Sequence, residues 1–347
     1  MDPSKVKIPP MKDQTIENIT ANTIAINSVC PDERMKYVLE RLVTHLHDFA
    51  RETRLSTEEW MAGLRFLTEV GQITTDVRQE FILLSDVLGL SILVDSMDHP
   101  KPAGSTEGTV LGPFHTHDAE EMPAGESMSH DPQGEPLLVV CTLRDMQGRP
   151  IEDVKIDIWE TDSTGHYDVQ YEGRSSPEGR CVMRSDAEGV FWFKAIKPVP
   201  YPIPHDGPVG KLLEKLGRHP YRPSHMHFMF EKEGYDHLIT YVVTSFFLSG
   251  MHFANWISAL YLRNDPYASS DAVFGVKDSL TVDIGKADAE IAKKYNVPEG
   301  HSLLTYDFVL VSEEETSKLR AHNSMVALDK LGRKVKIVNG LPIPDLD

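Results

Sequence analysis

The sequence predicts an α+β chain, with a helical first third followed by short strands that fold into an antiparallel β-sandwich. Two observations carry this. Apolar residues recur at helical spacing over the first third, whereas from Leu137 they alternate or run in short blocks between turn signals. A stretch rich in proline and glycine, roughly residues 98–134, separates the two textures. The expected division is a helical region over residues 1–100 and a sandwich over residues 101–347.

Each element has its own signal. After Pro31, the residues Met35, Val38, Leu39, Leu42, Leu46 and Phe49 share a helical face. A second helix opens at Ser56-Thr57-Glu58-Glu59, where Ser56 and Glu59 have capping-box spacing, and continues through Trp60, Leu64, Leu67 and Val70. A third runs from about Asp76 through Phe81, Leu84, Leu88 and Ile92. It is apolar on more than one face, which predicts burial or an interface. Leu137 to Leu143 is a continuous apolar run, Val154, Ile156 and Ile158 alternate with polar residues, and residues 190–196 and 225–230 are further strands. Beyond about Ser312 the chain is charged and weakly patterned, predicting a surface tail with one short strand at Val335 to Val338.

Bulk chemistry narrows the function. The 347 residues carry 53 acidic and 35 basic side chains, a net charge of −18, which excludes the basic footprint that nucleic acid or an anionic membrane surface requires. Three cysteines without short spacing argue against a disulfide framework and for a reducing compartment, the cytoplasm. No apolar run has membrane-spanning length, and no secretion signal is evident at the N-terminus, so the chain is expected not to be membrane-embedded.

Three His-x-His pairs stand out. His45 and His47 lie in a predicted helix, where residues two apart point to different sides. His115 and His117 lie in a Gly-Pro loop with no imposed geometry. His225 and His227 sit in the strand-like run Ser-His-Met-His-Phe-Met-Phe, where residues two apart share a face. Two imidazoles alone make an incomplete metal site, and the carboxylate of an iron(II) facial triad and the helical zinc motif are both absent. Two tyrosines are available nearby: Tyr167 after a Thr-Gly-His turn, and Tyr201 between prolines. A phenolate is a hard, anionic ligand suited to iron(III). Spacing does not separate this from two core tyrosines with satisfied hydroxyls.

Longer segments carry a resemblance. They are Leu83-Leu84-Ser85-Asp86-Val87-Leu88-Gly89, Thr109-Val110-Leu111-Gly112-Pro113-Phe114, and Asp157-Ile158-Trp159-Glu160 running on to Gly165-His166-Tyr167. Further on come Tyr201-Pro202-Ile203-Pro204, Arg222-Pro223-Ser224-His225-Met226-His227-Phe228 and Asp271-Ala272-Val273-Phe274-Gly275-Val276-Lys277-Asp278. In this order the chain resembles the intradiol ring-cleavage dioxygenases, most closely those acting on hydroxyquinol. The resemblance implies a helical homodimer region, often around a bound phospholipid, and a sandwich holding Fe(3+). It implies Tyr201 and His225 as axial ligands, Tyr167 and His227 as equatorial ligands, and Tyr201 also as acceptor of a substrate proton. Arg222 would stabilise negative charge on the ring. Leu83, Asp86, Val110, Leu111, Gly112, Pro113, Phe114, Ile203, Pro204 and Val273 would line the substrate pocket. Asp86 is expected either to accept a hydrogen bond from a third ring hydroxyl or to cap a local turn.

The expected reaction is O2-dependent cleavage of hydroxyquinol to 3-hydroxy-cis,cis-muconate (equivalently maleylacetate), with catechol as alternative substrate. Two other classes compete: a zinc hydrolase using His225 and His227 with His115 or His117, and a non-catalytic sandwich that binds small molecules. One departure from the family is also visible. Relatives pass directly from a segment like Leu238-Ile239-Thr240 to one like Ala259-Leu260-Tyr261-Leu262, whereas here residues 241–258 intervene. That stretch is rich in aromatics and about as long as a short intron, so it is read as an insertion, either a translated intron or a genuine lineage-specific loop, with the intron favoured.

Overall fold

The computed structural model describes residues 8–75, 78–110, 112–174, 176–236, 256–332, 334–338 and 341–344. Contacts divide the chain into two compact units, Met1–Thr68 with Ala321–Asp347, and Glu69–Arg320.

The helices form where polar caps and apolar periodicity coincide. Helix α1 spans Ile19–Asn27, α2 Glu33–Glu52 and α3 Thr57–Ile73. The Asp32 carboxylate accepts from Met35 N at the start of α2, and Ser56 and Glu59 close the expected capping box of α3 at 2.9 and 3.2 Å. The single third helix is instead two, α4 (Glu80–Val87) and α5 (Leu90–Asp98). Gly89 between them takes φ +73°, a left-handed conformation that stops α4 and re-aims the chain. Asp76, where that helix was expected to start, lies outside the described residues.

The sandwich is built from β1 (Pro136–Asp145), β2 (Lys155–Trp159), β3 (Arg180–Arg184), β4 (Val190–Ile196), β5 (Tyr201–Pro202), β6 (Tyr221–Arg222), β7 (His225–Glu231), β8 (Trp256–Leu262), β9 (Thr281–Val282), β10 (Gly285–Lys286) and β11 (Ser302–Leu310). Short helices α6 (Pro208–Lys215) and α7 (Ala289–Tyr295) interrupt them. One sheet has the order β10-β11-β1-β4 and the other β3-β2-β7-β8-β9. The sheets are mixed, which corrects the purely antiparallel expectation: β1 pairs with β11 and β8 with β9 in parallel. Strand β11 reaches β1 only after a long excursion through α7, so no hairpin forces an antiparallel pairing.

Alternation along the strands makes one core between the sheets. Leu137, Val139, Cys141 and Leu143 of β1 meet Ile156 and Ile158 of β2, Met226, Phe228 and Phe230 of β7, and Leu260 of β8 in one buried cluster. The opposite face of β7 therefore carries His225, His227 and Met229, and it is buried too. Beyond Ser312 a second departure appears. Residues Glu313–Lys330 form a helix, α8, followed by the paired strands β12 (Val335–Val338) and β13 (Leu341–Pro344). Among the described residues, no helix is long and apolar enough to cross a membrane.

Candidate metal centre

Strand β7 sets the first two donors. It lies between β2 and β8, with His227 opposite Trp159 on one side and Ala259 on the other, and His225 opposite Tyr261. The Trp159 indole stacks on the His227 ring at 4.7 Å and 8°, fixing the imidazole plane. His225 Nδ1 lies 2.7 Å from Pro223 O, so that nitrogen donates and Nε2 is left with its lone pair. The two Nε2 atoms face each other at 3.1 Å. Burial holds both imidazoles neutral, pushing their pKa values well below the ordinary range, and the nearby Arg222 charge acts in the same direction.

The tyrosines arrive from two separate loops. Tyr167 follows a turn in which Asp162 accepts from Thr164 N and His166 N and Gly165 takes φ +82°. A side chain at Gly165 would sit 3.1 Å from Tyr201 Cβ, so glycine is what lets the two loops close on one another. The short turn Asp168–Gln170 then anchors Tyr167, with Gln170 accepting from Tyr167 N at 2.8 Å, while Arg180 grips buried Asp168. Tyr201 lies in β5, opposite Arg222 in β6. The Tyr167 hydroxyl is 3.4 Å from that of Tyr201 and 3.5 Å from His225 Nε2. Burial, followed by the neighbouring Tyr201, pushes the Tyr167 phenol well above its ordinary value. It would ionise only against a cation.

All four side chains are almost wholly buried. Two phenol oxygens and two imidazole nitrogens crowd together at 3.1–3.5 Å, which is the chemistry of a metal donor set. Such a site adds no third histidine or acidic ligand. Among the described residues no cluster of three or more His, Cys, Asp or Glu side chains is placed to hold a metal. The other His-x-His pairs do not join it. His45 and His47 bond to different partners, Arg41 and Thr20. His115 packs on Trp159 at 4.8 Å, with its Nε2 buried and without a hydrogen-bond partner.

The expected pocket residues differ in burial. Phe114 stacks on Tyr167 at 4.7 Å, and Leu83, Asp86, Val110, Ile203 and Val273 are buried. Gly112 and Pro204 are half-buried and Pro113 is exposed, while Leu111 lies outside the described residues. The Asp86 carboxyl is pushed up by burial, with Ser91 and the positive Arg222 pulling it back. Arg222 Nη1 is 3.2 Å from His225 Nε2 and 3.4 Å from the Tyr201 hydroxyl. Three residues left unassigned on sequence also belong to the surroundings: Trp159 packs on His227, Tyr261 on His225, and Asp271 pairs with Arg222. Strand alternation opposite the two histidines was the available signal for the first two.

Comparison with known proteins decides the family. Residues 32–106 match the profile described as the catechol dioxygenase N terminus, and residues 110–245 match the profile described as dioxygenase. The chain is 77% identical, over all of both chains, to the intradiol ring-cleavage dioxygenase hqdA of Aspergillus niger. It belongs to the intradiol ring-cleavage dioxygenases. Another relative is 6-chlorohydroxyquinol 1,2-dioxygenase of Cupriavidus pinatubonensis, 43% identical over 86% of this chain and 99% of the relative. The crystal structure of hydroxyquinol 1,2-dioxygenase from Pseudomonas putida superposes with a TM-score of 0.77 at 38% identity, covering 86% of this chain and 99% of that one. The dioxygenase is thus an oxidoreductase of a metal-dependent family. The hydrolase and the non-catalytic readings are set aside.

Proposed function

We propose that this enzyme cleaves hydroxyquinol between its two adjacent hydroxyl-bearing carbons, using O2 and Fe(3+), to give 3-hydroxy-cis,cis-muconate. The observation that carries the reading is the buried quartet Tyr167, Tyr201, His225 and His227. Two hard phenol oxygens and two neutral imidazoles suit a ferric ion. Iron(III) held there supplies the Lewis acidity that makes a catechol-type ring carbon reactive towards O2.

The rest is the work of the chain. Tyr201, between the Tyr167 hydroxyl and Arg222 Nη1 at 3.4 Å each, would, as a phenolate holding the ion, take one of the two protons that a diol sheds on binding, the other going to a hydroxide. Arg222, wholly buried, is a fixed positive charge beside the reacting ring and stabilises negative charge developing on it. Phe114, stacked on Tyr167, and the buried Leu83, Val110, Ile203 and Val273 exclude water from the pocket, which Gly112, Pro113 and Pro204 edge. Asp86 accepts the hydrogen bond of the third ring hydroxyl. An oxygen-uptake panel tests the substrate. Hydroxyquinol is expected to be consumed fastest, and faster turnover of catechol or protocatechuate would overturn the assignment.

The same reading extends to the whole chain. Residues 1–100 form the helical dimerisation region and residues 101–347 the catalytic domain, with two copies joined through an apolar helical face that also holds a phospholipid chain. The three cysteines are free thiols, in keeping with a cytoplasmic enzyme. Residues 241–258 are an insertion retained from an intron; residues 241–255 lie outside the described residues, and Trp256–Ser258 begin β8.

A further inference from the structure

Among the described residues Arg222 is the one guanidinium that hydrogen-bonds to the donor quartet, and three of its five hydrogen bonds go to two neighbours, Asp271 and Tyr261. Its Nε donates to Asp271 Oδ1 at 3.2 Å and its Nη2 to Oδ2 at 3.5 Å. Nη2 also donates to the Tyr261 hydroxyl at 2.9 Å, which leaves Nη1 directed at Tyr201 and His225. Asp271 is itself held. Oδ1 accepts from Val273 N at 3.2 Å and Oδ2 from Gly275 N at 2.9 Å, so each oxygen takes one backbone and one guanidinium hydrogen. Inside this turn Phe274 adopts φ +59°, a costly conformation for a bulky residue. Tyr261 is braced by Thr109 Oγ1 at 3.2 Å, and Thr109 donates to Gly275 O at 3.0 Å. A Cβ at Gly275 would lie 2.7 Å from the Tyr261 hydroxyl and 2.9 Å from Arg222 Nη2, so the turn closes tightly over the pair.

We propose that Asp271 and Tyr261 are positioning residues that act through Arg222, the Asp271–Gly275 turn setting where Nη1 points. This rests on the proposed catalytic role of Arg222. Neither residue touches the four donors through a hydrogen bond of its own; their effect on turnover passes through one guanidinium. Free rotation of that group would move Nη1 by an ångström or more, a displacement that costs on the order of 100-fold in rate.

A mutant cycle on the iron-loaded full chain tests this, with Asp271→Asn, Tyr261→Phe, Arg222→Ala and the two doubles carrying Arg222→Ala. Asp271→Asn should lower kcat by about 10- to 100-fold and Tyr261→Phe by a few-fold, with KM, iron content and the visible band unchanged. In the Arg222→Ala background neither substitution should lower kcat further by more than about 2-fold. Losses that multiply in that background overturn the proposal, as does loss of iron in Asp271→Asn. If Asp271→Asn fails to fold, Tyr261→Phe decides through the same cycle. A second readout needs no turnover. In metal-free protein the Arg222 Nε–H should give a slowly exchanging 15N NMR signal that Arg222→Ala and Asp271→Asn both abolish; its persistence in Asp271→Asn contradicts the anchoring. A wild-type enzyme without ring cleavage, with that signal intact, would fail the functional reading and leave the anchoring standing.

Discussion

A carboxyl as deeply buried as that of Asp86 is costly unless something repays the desolvation, and Ser91 and Arg222 do so only in part. A third ring hydroxyl would be the missing partner. Asp86→Ala should therefore reduce kcat/KM for hydroxyquinol about 10- to 100-fold more than for catechol. Equal losses on the two substrates would make Asp86 a structural residue. His115 gives a pH signature. Burial, then His117, pushes it down from 6.5 to about 4. A depressed histidine stays neutral in the fold while the unfolded chain takes up protons below 6.5. Its contribution to stability is thus full above 6.5 and lost as pH falls towards 4. His225 and His227 are depressed as well and act with the same sign. The Tm of metal-free protein should fall across this window, and less so in His115→Gln; parallel curves would exclude His115. At this scale the histidine pair was legible because strand periodicity puts residues two apart on one face. The tyrosines stood out as available phenolates, but spacing left them open as core residues and only the resemblance favoured the ligand reading, since no local pattern joins Tyr167 to a loop 34 residues on. The Asp271–Arg222 pair was not legible at all, being a long-range contact between two turns.

The elements show what local signals decide. Capping box and periodicity located α2 and α3, but the break at Gly89 was passed over because the apolar pattern runs through it. Helix α8 was missed for the opposite reason: it is charged on most faces and lacks an apolar stripe. Its capping box was nevertheless present, Ser312 N donating to Glu315 at 2.9 Å and Glu315 N to Ser312 Oγ at 3.2 Å. Strand β8 bears on the insertion. Its first residues, Trp256, Ile257 and Ser258, pair with Phe230, Met229 and Phe228; Ile257 is buried, and buried Ser258 donates to Glu107 O at 3.1 Å. Leu238-Ile239-Thr240 repeats that order of apolar residue, isoleucine and hydroxyl. A chain lacking residues 241–258 should therefore rejoin β7 and β8 in register, and express as a more soluble protein with ring-cleaving activity. Insoluble product, or a mature transcript that carries the whole segment, would sink the intron reading.

On the scale of the molecule, helix α2 keeps an apolar stripe exposed among the described residues. Met35, Val38, Leu42, Leu46 and Phe49 of α2 stay 40–54% exposed at helical spacing. On the proposed dimer, a second copy would cover this stripe. Leu42→Glu with Leu46→Glu should halve the mass seen in sedimentation while a monomer remains folded; an unchanged mass would exclude this face. Whether the quartet holds the iron is read from the visible absorption spectrum of the iron-loaded protein. Tyrosinate on iron(III) should give a charge-transfer band that Tyr167→Phe and His227→Ala each abolish together with most of the bound iron, since the site has no spare donors. A colourless wild-type protein, or undiminished colour and iron in either variant, would rule the quartet out as the ligand set.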